Sequence, residues 1–356
     1  MAARRSGCRK YAQSLFTIAI FILILAVGGG YFFWRALTTP FKGYPQPVKD
    51  VEVHKHERTA IILRHLREQG VIRDEYVPLV YIKLARRGES IKAGIYEFTR
   101  PVSEADVVEK LIRGDVILKT VTLREGLDRF MVGRIFAAEG FGKPAMWDKL
   151  TADPEPIRDL APEAKSLEGY LFPDTYKLSP GTPPQKIVQL MVQNFRKHFV
   201  PEIAFITTGL GVHQTVTLAS IVESEARLPQ ERPVVASVYL NRLQKHMLLD
   251  ADPTVIYALK LASRWDGNIH KADLQIDSPY NTYRYPALPP GPIANPGMAS
   301  LLAAAGPAKT NYLYFVARHD GSHAFATNIA EHNHNVQIYQ VQWYRDQQKA
   351  GSTAPK

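Results

Sequence analysis

Residues 11–34 contain no charged side chain, and such an apolar run is long enough to cross a hydrocarbon core of roughly 30 Å as a single helix. A basic cluster, Arg4, Arg5, Arg9 and Lys10, precedes it. The positive-inside rule therefore predicts a cytoplasmic basic tail over residues 1–10 and an external location for everything after Arg35. The run closes on Tyr31-Phe32-Phe33-Trp34, an aromatic belt, and no small-residue cleavage site follows, which predicts an uncleaved anchor over 11–34. Residues 35–50, with Pro40, Gly43, Pro45 and Pro47, read as an extended linker that lifts the remaining chain off the membrane.

Beyond the linker the periods are short and mixed. Helical spacing predicts helices over 59–69 and 74–86, a strand over 93–98, and a helix opened by Ser103 as N-cap and closed by Gly114. Alternation over 116–123 predicts another strand, followed by helices over 127–138, 145–150 and 187–199. The stretch 214–227 is apolar on two helical stripes, which predicts a buried helix. Further helices follow over 232–245, over 252–261 with Asp252 as N-cap and Pro253 at its first position, and over 298–305. Tyr312 to Ala317 and His323 to Thr327 read as a hairpin, and a last helix runs from about Ile329 to a polar tail at 346–356. The stretch 278–297 holds too much proline, glycine and tyrosine for a regular element, and a loop of that length in a compact domain points to an ordered site wall.

Composition narrows the function classes. The net charge of +10 suggests nucleic acid at first sight, but five of the 44 basic residues lie in or beside the anchor, which halves the surplus for the remainder. That surplus suits an anionic polymer or a membrane surface, and an external domain excludes nucleic acid as partner. The only cysteine, Cys8, precedes the anchor, so no intrachain disulfide forms.

The candidate chemistry lies at the end of the buried helix. Glu223 and Glu225 fall within its last turn, where a carboxyl group has to open on a cleft, pair with a cation, or stay protonated, because burying a lone carboxylate is costly. A protonated glutamate at neutral pH is a general acid. Two residues apart on a helix they project in nearly opposite directions, so they cannot both flank one bond, and periodicity does not choose between them. Tyr280, Asn281, Tyr283 and Asn295, with Asp252 and Asn241, are candidates for the lining of a sugar cleft, since flat rings stack on pyranose faces and amides and acids bind hydroxyls.

Leu218-Ala219-Ser220-Ile221-Val222-Glu223, Asp252-Pro253-Thr254, Tyr280-Asn281-Thr282-Tyr283, Leu288-Pro289-Pro290-Gly291 and Tyr312-Leu313-Tyr314-Phe315-Val316-Ala317 occur in this order, with Leu167 to Tyr176 ahead of them. In these motifs the chain resembles the YceG-like family of endolytic murein transglycosylases, from the anchor to the C-terminal helix. The resemblance implies an α+β protein: one transmembrane helix, a LysM-like α/β subdomain over 51–118, and a larger mixed α+β catalytic domain over 119–345. It implies a peptidoglycan lyase of the inner membrane with its catalytic domain in the periplasm, acting on nascent glycan strands beside the peptidoglycan synthases (penicillin-binding proteins). It also implies that Glu223 is the catalytic glutamate, protonating the bond between N-acetylmuramic acid and N-acetylglucosamine and then accepting the proton of the muramyl C6 hydroxyl, which leaves a 1,6-anhydro end. Glu231 matches a family position with its role left open. No cofactor and no metal are expected.

Two rivals stand beside this reading. His319, His323, His332 and His334 could build a metal hydrolase, but no HExxH-type spacing is present. The other rival is a non-catalytic, membrane-anchored peptidoglycan-binding scaffold.

Overall fold

The computed structural model describes residues 3–343 and 345, with side chains from Phe16 onward; the polar tail expected at 346–356 lies outside the described residues. Helix α1 (Ala3–Thr38) carries one segment, Phe16–Thr38, with the length and composition of a membrane span and a mean hydropathy of 2.3.

The chain divides between Lys119 and Thr120 into two compact units. In the first, β1 (Lys49–Val53), α2 (Thr59–Glu68), α3 (Tyr76–Ala85), β2 (Gly94–Phe98) and α4 (Glu104–Arg113) succeed one another. Strands β1 and β2 pair antiparallel with Val51 opposite Tyr96, so their inward residues share one face with Ile62, Leu63 and Leu66 of α2 and Val107 and Leu111 of α4. The chemistry expected at α4 is present: Ser103 accepts from the Asp106 N–H at 3.1 Å, and Gly114 closes the helix at φ 77°, a left-handed conformation that glycine adopts without strain. The linker prediction ran up to Asp50 and so missed β1, whose residues at 49 and 50 stand at its end.

The second unit surrounds a buried helix. Its elements are β3 (Lys119–Thr122), α5 (Arg129–Ala138), α6 (Pro144–Ala152), β4 (Thr175–Leu178), α7 (Pro184–Phe199), α8 (Val212–Glu225), α9 (Arg232–Gln244), α10 (Asp252–Leu261), α11 (Met298–Ala305), β5 (Tyr314–Ala317), β6 (His323–Ala326) and α12 (Ile329–Val336). Strand β3 is shorter than the alternation over 116–123 predicts, and it pairs with β4, which no sequence period announced. Strands β5 and β6 form the expected hairpin, Val316 opposite Ala324.

Every residue of α8 from Thr215 to Val222 is buried, as two apolar stripes require, against α9, α10 and α11. Its polar side chains are satisfied inside the fold: His213 bonds the Tyr170 hydroxyl at 2.7 Å and the Pro290 carbonyl at 3.1 Å, and Ser220 Oγ accepts from Ile293 N at 3.0 Å. Gly169 lets a loop close on this helix. It sits at φ 87°, and a Cβ there would come within 2.8 Å of Val216 and 2.5 Å of Pro292. The stretch 278–297 has no long regular element yet is anchored at both ends, and α8 thereby becomes a rigid post whose last turn is held in a fixed place.

Candidate active site

Helix α8 stops because Ala226 turns extended (φ −88°, ψ 106°) ahead of Pro229, leaving both glutamates on the final turn. Their two-residue spacing sends them into different surroundings.

The Glu223 carboxylate is tied down at both oxygens. Oε1 accepts from Arg232 Nη2 at 3.0 Å, at the start of α9, and Oε2 accepts from the Gly297 N–H at 3.0 Å, at the N-terminus of α11. Its side chain is 6% exposed and that of Arg232 9%, so this is a buried ion pair. The Glu223 pKa is raised above the ordinary carboxyl value: burial is the largest cause and outweighs the Gly297 N–H and the Arg232 charge, which favour the anion. Glu125, in the loop after β3, shares Arg232 at 3.4 Å and packs where a Cβ on Gly297 would have to go. Sequence reasoning passed over Glu125; nothing local marks it, because its partner lies more than a hundred residues ahead.

Glu225 opens on a cleft of about 510 Å³. Oε1 accepts from the Tyr239 hydroxyl of α9 at 3.2 Å; Oε2 makes no hydrogen bond among the described residues and is not enclosed. Burial raises its pKa to about 7, with a further upward push from the charge of Asp252 and an opposing one from the Tyr239 hydrogen bond. A carboxyl group that titrates near 7 is half protonated at neutral pH, as a general acid needs.

The other walls of the cleft come from Arg242 on α9, Asp250 and Asp252 at the start of α10, Tyr283, and Tyr314, Phe315 and His323 of the hairpin. Asp252 does not cap α10: Ala251 holds the N-cap position, and the Asp252 carboxylate instead accepts from the Tyr283 hydroxyl at 2.6 Å. Arg242 is fixed by the carbonyls of Leu248, Leu249 and Leu313 and by Asp250 at 3.0 Å.

The sequence candidates thus separate. Asp252 and Tyr283 join Glu225 in the cleft. Asn281 is buried and its amide donates to the Leu274 and Ile276 carbonyls, which shapes the loop that carries Tyr283. Asn295 is also buried: its oxygen accepts from Gly169 N and Leu171 N at 3.0 Å each, and its nitrogen donates to the Leu127 carbonyl and to Glu168. Both amides act as latches for the fold. Tyr280 packs on Tyr257, ring centroids 5.0 Å apart. Asn241 lines a different pocket, beside Ser237 and Thr310, and donates to the Thr310 and Tyr312 carbonyls. Among the described residues no three His, Cys, Asp or Glu side chains are grouped to hold a metal ion.

Comparison with known proteins identifies the family. Residues 51–338 match the model of the YceG-like family. An endolytic murein transglycosylase of Bacillus subtilis is 31% identical over 333 residues, covering 88% of this chain and 91% of the relative. A protein of the same description from Streptococcus pneumoniae is 27% identical over 358 residues, and there the match spans 89% of this chain but 63% of the longer relative. The crystal structure of a yceG-like protein from Listeria monocytogenes superposes with a TM-score of 0.54 at 33% identity, covering 81% of this chain and 98% of that one.

Proposed function

The chain belongs to the YceG-like family, and from that premise we propose that it is an endolytic murein transglycosylase, a lyase, whose general acid is Glu225. The observation that carries the choice of residue is the contrast on the last turn of α8: Glu225 faces a cleft with a free oxygen and a pKa near 7, while both oxygens of Glu223 are bound to Arg232 and the Gly297 N–H. This departs from the expectation that Glu223 is catalytic: Arg232 and the Gly297 N–H engage both Glu223 oxygens, while Glu225 keeps one oxygen free on the cleft.

In this reading protonated Glu225 gives its proton to the oxygen linking N-acetylmuramic acid to N-acetylglucosamine, and the bond from that oxygen to the muramyl C1 breaks. Positive charge grows at C1, and the Asp252 carboxylate across the cleft stabilises it through space. The muramyl C6 hydroxyl attacks C1 of its own ring and returns its proton to Glu225, so a 1,6-anhydro end forms without water. An internal nucleophile has the high effective concentration that an activated water would otherwise need a second carboxylate to match. Tyr283, held by Asp252, offers a flat face to the sugars, and Tyr314, with His332 and Arg242 over its ring, offers its edge and hydroxyl.

The rest of the chain fits a wall enzyme tethered at its source. Helix α1 supplies an anchor, and the basic residues before it favour a cytoplasmic N-terminus, with the catalytic unit in the periplasm on the outer side of the inner membrane. The strand–helix–helix–strand order from Lys49 to Phe98 supports a LysM-like subdomain. A tether to the membrane where strands are made would place the enzyme beside the peptidoglycan synthases. The test is mass spectrometry of purified peptidoglycan after digestion. Anhydro-muramyl ends within long strands are the expected products; reducing ends would mean hydrolysis, and uncut strands from folded protein would favour the binding scaffold.

A further inference from the structure

The mechanism above leaves several polar groups of the cleft unused, and His323 is the one aimed by a carboxylate from behind. His323, first residue of β6, lines the same cavity as Glu225 but lies on the hairpin, almost a hundred residues later in the chain. Glu231 holds it by two bonds: Oε1 accepts from the His323 backbone N–H at 3.0 Å and Oε2 bonds Nδ1 at 2.7 Å. An ionised carboxylate only accepts, so the proton of that second bond resides on Nδ1. Nε2 is then the remaining polar atom of the ring. It has no hydrogen bond among the described residues and is not enclosed.

The ring cannot swing away. Its side chain is 7% exposed, and it meets Phe315 edge-on at 5.2 Å and Phe325 at 6.2 Å. Phe315 in turn packs edge-to-face on Tyr239, the hydrogen-bond partner of Glu225, at 5.8 Å. One continuous wall therefore runs Glu225, Tyr239, Phe315, His323, with an acid at one end and an oriented imidazole at the other. Orienting an imidazole through a carboxylate on its far nitrogen is a recurrent way of fixing where the other nitrogen points.

We propose that His323 is a substrate-binding residue whose Nε2 accepts a hydrogen bond from a hydroxyl or acetamide N–H of an N-acetylated sugar in the cleft, and that Glu231 is the positioning residue that fixes its tautomer. The inference rests on the cleft being the glycan site. It assigns Glu231 a function through His323, and it gives the hairpin a part in recognition besides packing. Glu231 lies next to Arg232, so one short turn between α8 and α9 ties both the Glu223 ion pair and the recognition histidine to the acid.

The test separates binding from turnover. Equilibrium binding of purified glycan strands is measured with the detergent-solubilised full chain carrying Glu225→Gln, which keeps the cleft but lacks the acid, and then with His323→Ala, His323→Gln or Glu231→Gln added. His323→Ala is expected to weaken binding at least fivefold. His323→Gln, with an amide oxygen to accept, is expected to restore most of that loss. Glu231→Gln presents an amide NH2 to Nδ1 and should move the ring proton to Nε2, weakening binding and changing the ¹⁵N shifts of the histidine. Binding within twofold of the parent for both His323→Ala and Glu231→Gln overturns the proposal, as does equal weakening by His323→Ala and His323→Gln in step with a lower unfolding temperature. Because binding is read without turnover, a wild-type protein that makes no anhydro ends would refute the lyase reading while leaving this result to stand or fall separately.

Discussion

Asp252→Asn should lower the pH at which catalysis fails. Asp252 is the charge that adds to burial in lifting the Glu225 pKa from its ordinary 4.5 to about 7. Both groups line one cavity of about 510 Å³, and two unit charges taken as ~10 Å apart in an effective dielectric of ~20 interact by about 1.7 kcal/mol, a little over one pKa unit. Burial is the larger cause and remains in the variant, so the pKa should settle near ~6 and stay above the ordinary carboxyl value. The general acid works when protonated, and kcat/KM must fall as pH rises through the free-enzyme pKa. In wild type that limb is expected near 7. In Asp252→Asn it moves about one unit lower, so the protonated fraction at pH 7 drops from about one half to about one tenth. Release of anhydro-muramyl ends from radiolabelled strands, followed from pH 4.5 to 9, measures the limb. Its position reports the electrostatic coupling, while the height of the acid plateau reports any part of Asp252 in stabilising charge at C1. A limb that stays in place, or moves up, refutes the coupling between Asp252 and Glu225.

Arg232→Ala leaves the Glu223 carboxylate buried without its cation, with the Gly297 N–H alone to satisfy it; a cost of about 3 kcal/mol in unfolding free energy is expected, read from chemical denaturation. Glu223→Gln should cost less than that, because the amide oxygen still accepts from Gly297 and Arg232 keeps Glu125. The raised Glu225 pKa also has a stability consequence. The folded state binds that proton more tightly than the unfolded chain, so its stabilising effect is complete below about 4.5 and is lost as pH rises through about 7, a change of roughly 3 kcal/mol. Glu225→Gln has no such proton to lose, so its stability relative to wild type should increase between pH 5 and 8 in thermal unfolding curves.

The helices were legible wherever a local period or cap decides them. The two apolar stripes of 214–227, the Ser103 cap and the 298–305 run each became the element expected, and the motif order announced the family. Strands β1 and β4 were not legible, since each is four or five residues long and is defined by a partner far along the chain. The same limit applied at the site. Glu223 and Glu225 look alike in sequence, and what separates them is an arginine nine residues later, a backbone N–H 74 residues later and a tyrosine on the next helix. Amide residues were the other ambiguity. Asn241 and Asn295 have the composition of a sugar-binding wall, but their hydrogen bonds close loops, and only the three-dimensional partners show that. Asp252 carried two expectations, cap and cleft lining; Ala251 holds the cap position and the Asp252 carboxylate faces the cleft with Tyr283.

The central claim is that the acid is Glu225 and that Glu223 supports it from behind. Glu225→Gln and Glu223→Gln, each confirmed as folded by its unfolding temperature, are to be compared with wild type for the yield of anhydro-muramyl ends from the same strands at pH 6. The expected result is a loss of at least a thousandfold for Glu225→Gln and residual lyase activity, well above that level, for Glu223→Gln. Abolished activity in a folded Glu223→Gln beside an active Glu225→Gln would contradict the account and return the acid to Glu223.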